Sequence, residues 1–324
     1  MAGHRARGVL RIRALLGLSA LLVGLPGLAP AKTLVFCSEG NPESLDPAVV
    51  TTTTAMNVTW QMFNTLVEFA PGSTVIRPAL AESWRVSEDG RSYEFTLRPG
   101  VRFHENARFR PSRALNAEDV LFSFLRQWKP DHPFHGQGAQ KANGGQEANG
   151  GQEANGAQEA NGGQEPNGGQ VGQGGQGSQN GKAAGFAYFH DLGLADLIES
   201  IDAPDPRTVR FRLKEPDATF LPNLAQAFAS IHSAEYAATL AASGAREALG
   251  REPIGTGPFT FAGYRPDIAV RYRAFEAYWR QPDETKPGLA RIDGLVFSIT
   301  PNPAVRLAKL KAGECHVMAF PATT

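Results

Sequence analysis

Along this chain, apolar and polar residues alternate in two clear runs. Tyr93, Phe95 and Leu97 alternate with Glu94, Thr96 and Arg98, and Val209, Phe211 and Leu213 alternate with Arg210, Arg212 and Lys214. A period of two puts one set on a buried face and predicts two half-buried strands. Glu88-Asp89-Gly90 and Ala203-Pro204-Asp205-Pro206 supply the turns that precede them. Residues 259–264 and 268–275, joined by Arg265-Pro266-Asp267, read as a hairpin. Helical spacing is equally marked. Asn116 stands at an N-cap position with Asp119 three residues on, and Val120, Phe124 and Trp128 form an i, i+4 stripe. Asn302-Pro303 starts a second helix that Gly313 ends. A third is expected over residues 57–67. The class is mixed α and β with antiparallel hairpins.

Two segments stand outside this pattern. At the amino terminus a basic stretch, His4 to Arg13, precedes an apolar run over 14–28 and the small residues Ala29-Pro30-Ala31. This is the layout of a secretory signal peptide cleaved after Ala31, too short for a stable membrane span. The alternative is a buried amino-terminal helix. From Asn143 the chain repeats N-G-G-Q-E-A with period six, and residues 136–182 hold almost no large apolar side chain. Such a segment cannot bury enough surface to offset its ordering entropy, and is expected to be a flexible surface insert. Without residues 1–31 the chain carries 28 basic against 32 acidic residues, a net charge of −4. That balance argues against a nucleic-acid partner. The remaining length suggests roughly two domains.

Candidate chemistry is sparse. No G-x-S-x-G, H-E-x-x-H or P-loop motif occurs after the signal sequence, so an enzyme has no support. Gly255-Thr256-Gly257 lacks the third glycine of a dinucleotide fingerprint and reads as a tight turn before a strand. His132 and His135 have H-x-x-H spacing, but Pro133 between them argues against a helix presenting both to a metal. Glu118-Asp119 fits helix-start electrostatics. No cofactor or metal is expected. Cys37 and Cys315 sit in an exported chain, where two thiols more often pair than stay free. A bridge there contributes about 4–5 kcal/mol in the chain-entropy model; two separate buried thiols are the alternative. The run Thr51, Thr52, Thr53, Thr54 is dense in hydroxyls and short of charge. It suits either a polar main chain as ligand or plain loop solvation and helix capping.

Several stretches, in order, resemble the family 5 extracellular solute-binding proteins, the peptide and nickel class. They begin with Lys32-Thr33-Leu34-Val35-Phe36-Cys37-Ser38-Glu39-Gly40 and Leu66-Val67-Glu68-Phe69. Next come Leu80-Ala81-Glu82-Ser83-Trp84 and the run from Val86 to Val101. Asn116-Ala117-Glu118-Asp119-Val120, the run Pro253 to Phe259, and Leu295 to Pro301 follow. The match at Cys37 and at Pro253 to Phe259 favours the dipeptide binders.

The resemblance implies a periplasmic binding protein of type II, two lobes that close on an extended peptide by a hinge. It implies the receptor of an ABC importer, partnered with short peptides and with permease subunits, peripheral to the inner membrane rather than spanning it. It also implies pairing of Cys37 with Cys315, and a ligand-facing role for Thr51–Thr54. Residues 32–66 and 254–324 are expected to form most of the large lobe, and 67–253 a smaller domain carrying the insert. The family's proteins continue past the position of Thr324, so the second ligand-binding lobe is expected to be absent from this chain. With it are expected to be absent the acidic residue and the arginine that pair with a peptide's termini. A haem- or nickel-complex receptor of the same family is the nearer alternative, and a secreted hydrolase the more distant one.

Overall fold

The helix after Asn116 shows how local chemistry sets an element. In the computed structural model, the Asn116 side chain accepts from the Glu118 N–H (3.0 Å). The Asp119 carboxylate accepts from the Asn116 N–H (2.9 Å), completing a capping box. The structure describes residues 3, 32–136, 185–280 and 292–319, all but Gly3 within the unit Lys32–Thr324. All but Gly3 of the expected signal sequence and nearly all of the glycine-rich insert lie outside the described residues. Among the described residues no helix is long and apolar enough to cross a membrane.

Eleven strands and seven α-helices are described. In chain order they are β1 (Thr33–Ser38), α1 (Thr53–Thr59), β2 (Val67–Phe69), β3 (Ile76–Pro78), β4 (Ala81–Val86) and β5 (Ser92–Leu97). Then come α2 (Ala117–Trp128), α3 (Ala187–Asp191), α4 (Leu194–Leu197), β6 (Ile198–Asp205), β7 (Thr208–Leu213), α5 (Phe220–Leu224) and α6 (Ala234–Ala242). Last are β8 (Phe259–Arg265), β9 (Ala269–Ala274), β10 (Gly294–Ile299), α7 (Pro303–Lys311) and β11 (Val317–Met318). One sheet has the order β11-β1-β10-β9-β8, with β1 parallel to both neighbours and β8, β9 and β10 antiparallel. A second, antiparallel sheet has the order β4-β5-β7-β6, and β2 and β3 form a separate hairpin.

Each sheet buries the face that its alternation marks. Val58, Met62 and Phe63 from α1 and the turn after it, with Leu45, cover Val270, Tyr272, Leu295 and Phe297 of the first sheet. In the second sheet, Phe95 and Phe211 meet edge to face. Phe124 of α2 meets Phe211 the same way at 5.0 Å between ring centres. Charges fill the opposite face: Arg85, Glu94, Arg210 and Asp202 sit in one row across four strands, and Arg210 bonds Glu94 at 2.8 Å.

One expectation needs correction. The helix placed at 57–67 starts earlier, after Thr52, and ends at Thr59, while Val67 opens β2. Long-range bonds stop it. The Gln61 carbonyl accepts from the Phe259 N–H (3.2 Å) and the Met62 carbonyl from the Gly257 N–H (2.8 Å). A Cβ on Gly255 would lie 2.0 Å from the Met62 oxygen and one on Gly257 2.5 Å from its carbonyl carbon. The glycines of the G-T-G turn are therefore there to let two backbones touch.

His104 holds that turn from the other side. Its Nε2 donates to the Gly257 carbonyl (2.9 Å) and its Nδ1 accepts from the Gly255 N–H (3.4 Å). One nitrogen gives and the other receives, which only a neutral ring can do. Burial pushes its pKa down, to about 4. Deeper still, Arg126 of α2 forms a bidentate pair with Asp46 (2.7 and 2.8 Å), and His232 lies 3.2 Å from the same carboxylate. Asp46, Arg126 and His232 are all essentially inaccessible. Burial opposes the charge on Asp46, but Arg126 and His232 together outweigh it and hold the carboxyl well below the usual range.

Asp46→Asn removes the charge that Arg126 needs and is expected to cost about 3–5 kcal/mol, read from urea unfolding midpoints. Acid should also weaken the fold. His104 and His232 have depressed pKa values in the fold, so below about pH 6.5 the unfolded chain takes up protons that the folded chain refuses. For His104 the loss reaches about 3 kcal/mol by pH 4. Urea midpoints between pH 7 and 4.5 should fall with pH, and less steeply in His104→Gln; equal slopes would contradict the assignment.

Candidate functional site

In open sheets with parallel strands, ligands gather beyond the carboxyl ends of those strands. Here β1 and β10 run parallel and end together: the Thr300 N–H donates to the Ser38 carbonyl at 2.8 Å. β11 ends beside them, with the Ala319 N–H on the Cys37 carbonyl at 3.2 Å. This edge therefore collects Ser38, Glu39, Thr300 and the start of α1.

Cys37 and Cys315 are joined as a disulfide across this region, with Cα atoms 5.8 Å apart and both side chains buried. Cys315 lies between α7 and β11, and β11 is only two residues long. The bridge and the bond from the His316 N–H to the Val35 carbonyl (2.8 Å) fasten this short strand to β1.

The four threonines occupy the same edge, in unequal roles. Thr52 is the N-cap of α1: its Oγ1 accepts from the Ala55 N–H at 3.2 Å. Its hydroxyl donates to Glu43, whose carboxylate also takes the N–H groups of Thr51 (2.7 Å) and Thr52 (2.9 Å). Burial raises the Glu43 pKa, but these donors outweigh it, and the net direction is down. The Thr54 hydroxyl donates to Glu39. Thr53 opens the helix and is exposed. Much of the run's hydrogen-bonding capacity is thus engaged in capping. The Thr53 hydroxyl and the oxygen lone pairs of Thr54 face that duty least.

Sequence reasoning missed Glu39 and Glu43, the two groups that orient the loop. Their only signal was proximity to the threonines, eight to fifteen residues away. A groove of about 730 Å³ lies beside Asn41, Ser44, Arg251, Glu252 and Tyr264, and none of the four threonines lines it. The H-x-x-H pair does not act as one: the His132 Nδ1 accepts from the Phe134 N–H (3.2 Å), and the His135 Nδ1 bonds the Arg126 carbonyl (2.9 Å).

With this geometry in place, the likeness to known proteins is decisive. Residues 75–324 match the bacterial extracellular solute-binding proteins, family 5 middle. The chain belongs to that family. It is 41% identical over 307 residues to the dipeptide-binding protein of Escherichia coli, a match covering 94% of this chain and 48% of that protein. It is 38% identical over 290 residues to heme-binding protein A of Haemophilus influenzae, covering 89% of this chain and 44% of the relative. Among solved structures, a dipeptide binding protein from Pseudoalteromonas sp. SM9913 in complex with Met-Leu superimposes with a TM-score of 0.71 at 31% identity. That match covers 90% of this chain and 48% of the other. The chain thus spans about half the length of the relatives it matches. Its mixed α/β architecture is that of the periplasmic binding proteins.

The capping account makes separable predictions. Thr52→Ala loses the N-cap and should destabilise the fold by about 1 kcal/mol, whereas exposed Thr53→Ala should shift it by less than about 0.5 kcal/mol in thermal or urea unfolding. Equal losses at both positions would show that the run is packed rather than capped.

Proposed function

We propose that this chain is the substrate-binding part of an ABC importer that collects dipeptides or short peptides in the periplasm and delivers them to a membrane permease. The observation that carries the reading is the 41% identity to a dipeptide-binding protein across 94% of the chain. The relative solved with Met-Leu bound supports it. A signal sequence ending at Ala31 fits delivery to that compartment. The family to which the chain belongs is one of binding proteins, and nothing among the relatives supports the hydrolase.

We read the strand-end surface as one wall of the peptide site, with Thr51, Thr52, Thr53 and Thr54 on it. The sheets support a division of the chain into a large lobe and a smaller domain. The β11-β1-β10-β9-β8 sheet draws its strands only from residues 33–38 and 259–318, in keeping with a large lobe made of 32–66 and 254–324. The β4-β5-β7-β6 sheet lies within 67–253, the smaller domain. Fixed main-chain groups of the ligand would supply affinity, and water would adapt to its variable side chains.

Calorimetry tests this on a chimera that runs from this chain into the remaining half of the Escherichia coli dipeptide-binding protein. A panel of dipeptides should bind with affinities within about tenfold of one another. Binding of haem or a nickel chelate with no response to dipeptides would replace the substrate.

A further inference from the structure

Away from the strand ends, two histidines distant in sequence come together. His135 follows α2 and His190 lies in α3; their ring centres are 6.5 Å apart, with the planes at 84°. A carbonyl only accepts, so the contact with the Arg126 carbonyl means that the His135 Nδ1 carries the proton. The lone pair is then on Nε2. Histidine ligands to metals are held in this way, one nitrogen donating to an oxygen and the other facing the ion. Phe186, packed at 5.4 Å, limits the ring's freedom further. His190 is exposed and His135 half-buried.

We propose that His135 and His190 form a two-imidazole site for a borderline divalent cation such as Zn2+ or Cu2+, with water completing the coordination. Imidazole nitrogens suit these ions. A metal–nitrogen distance of about 2.0–2.1 Å puts each ring centre about 3 Å from the ion, hence two centres about 5 Å apart at a tetrahedral angle. His135 is fixed, so exposed His190 has to swing inward by about 1–1.5 Å, within the reach of a rotamer adjustment. Among the described residues, no group of three or more His, Cys, Asp or Glu side chains is placed to hold a metal. The site is therefore an open chelate and not a closed structural centre. His132, the partner that the H-x-x-H spacing suggests, is excluded: its Nδ1 is taken by the Phe134 N–H.

The location gives such an ion a mechanical effect. His135 and His190 flank residues 137–184, and the chain already meets itself at their neck, where a Cβ on Gly185 would stand 3.1 Å from the Gly136 Cα. A bound cation would tie α3 to the turn after α2.

Titration calorimetry of the chain with zinc chloride tests the proposal, with His190→Ala as the decisive variant because an exposed side chain can be removed without harm to the fold. One saturable site is expected, weakened by about tenfold or more in His190→Ala and in His135→Gln. His132→Gln should bind as the parent does. Absence of saturable zinc uptake, or equal affinity in parent and His190→Ala, would overturn it. Circular dichroism of each variant separates loss of the site from loss of the fold.

Discussion

The described fold is organised around a charge that has no contact with water. Arg126 belongs to α2, Asp46 to the stretch between β1 and α1, and His232 to the turn before α6. Three segments that the chain visits far apart in sequence are thereby fixed at one point. Desolvating such groups costs several kcal/mol each, and only near-ideal geometry recovers it. The bidentate pair provides that geometry, and the faces of Phe186 and Phe122 enclose the guanidinium at 5.2 and 5.9 Å. A loop that ends in Asp46 cannot move without exposing an unpaired cation.

The G-T-G turn repeats the logic with neutral groups. His104 satisfies one side of it and the Gln61-Met62 carbonyls the other. Backbone contact of this closeness excludes side chains, so the tolerance of these positions to substitution is set by space. The turn thus adds backbone contact to the apolar cluster by which α1 and the turn after it cover the first sheet.

What the sequence disclosed followed the range of the forces involved. The β5 and β7 alternation, the β8–β9 hairpin and the caps at Asn116 and Asn302 rest on neighbours a few residues away, and all are present. The extent of α1 was misread because the bonds that end it go to residues 257 and 259, which no local pattern reveals. The buried cluster was invisible for the same reason. Asp46, Arg126 and His232 lie 80 and 106 residues apart along the chain, so no local spacing marks them as partners. At the candidate site, the threonine run was legible as a polar loop, but the glutamates that take its hydroxyl and N–H protons were not. The histidine motif drew attention to His132, whereas the structure places His190 next to His135.

The position of β1 in its sheet has a consequence for how the protein is made. This strand is the first to leave the ribosome, yet both of its neighbours, β10 and β11, lie beyond residue 293. Among the described residues no earlier segment offers it a partner in that sheet. Until residues 294–318 have been synthesised, the leading strand stays unzipped and the closing sulfur bond has no second thiol. Such long-distance pairing makes folding intrinsically slow. Late closure of this kind leaves the front end of the chain threadable while the rest is still being made.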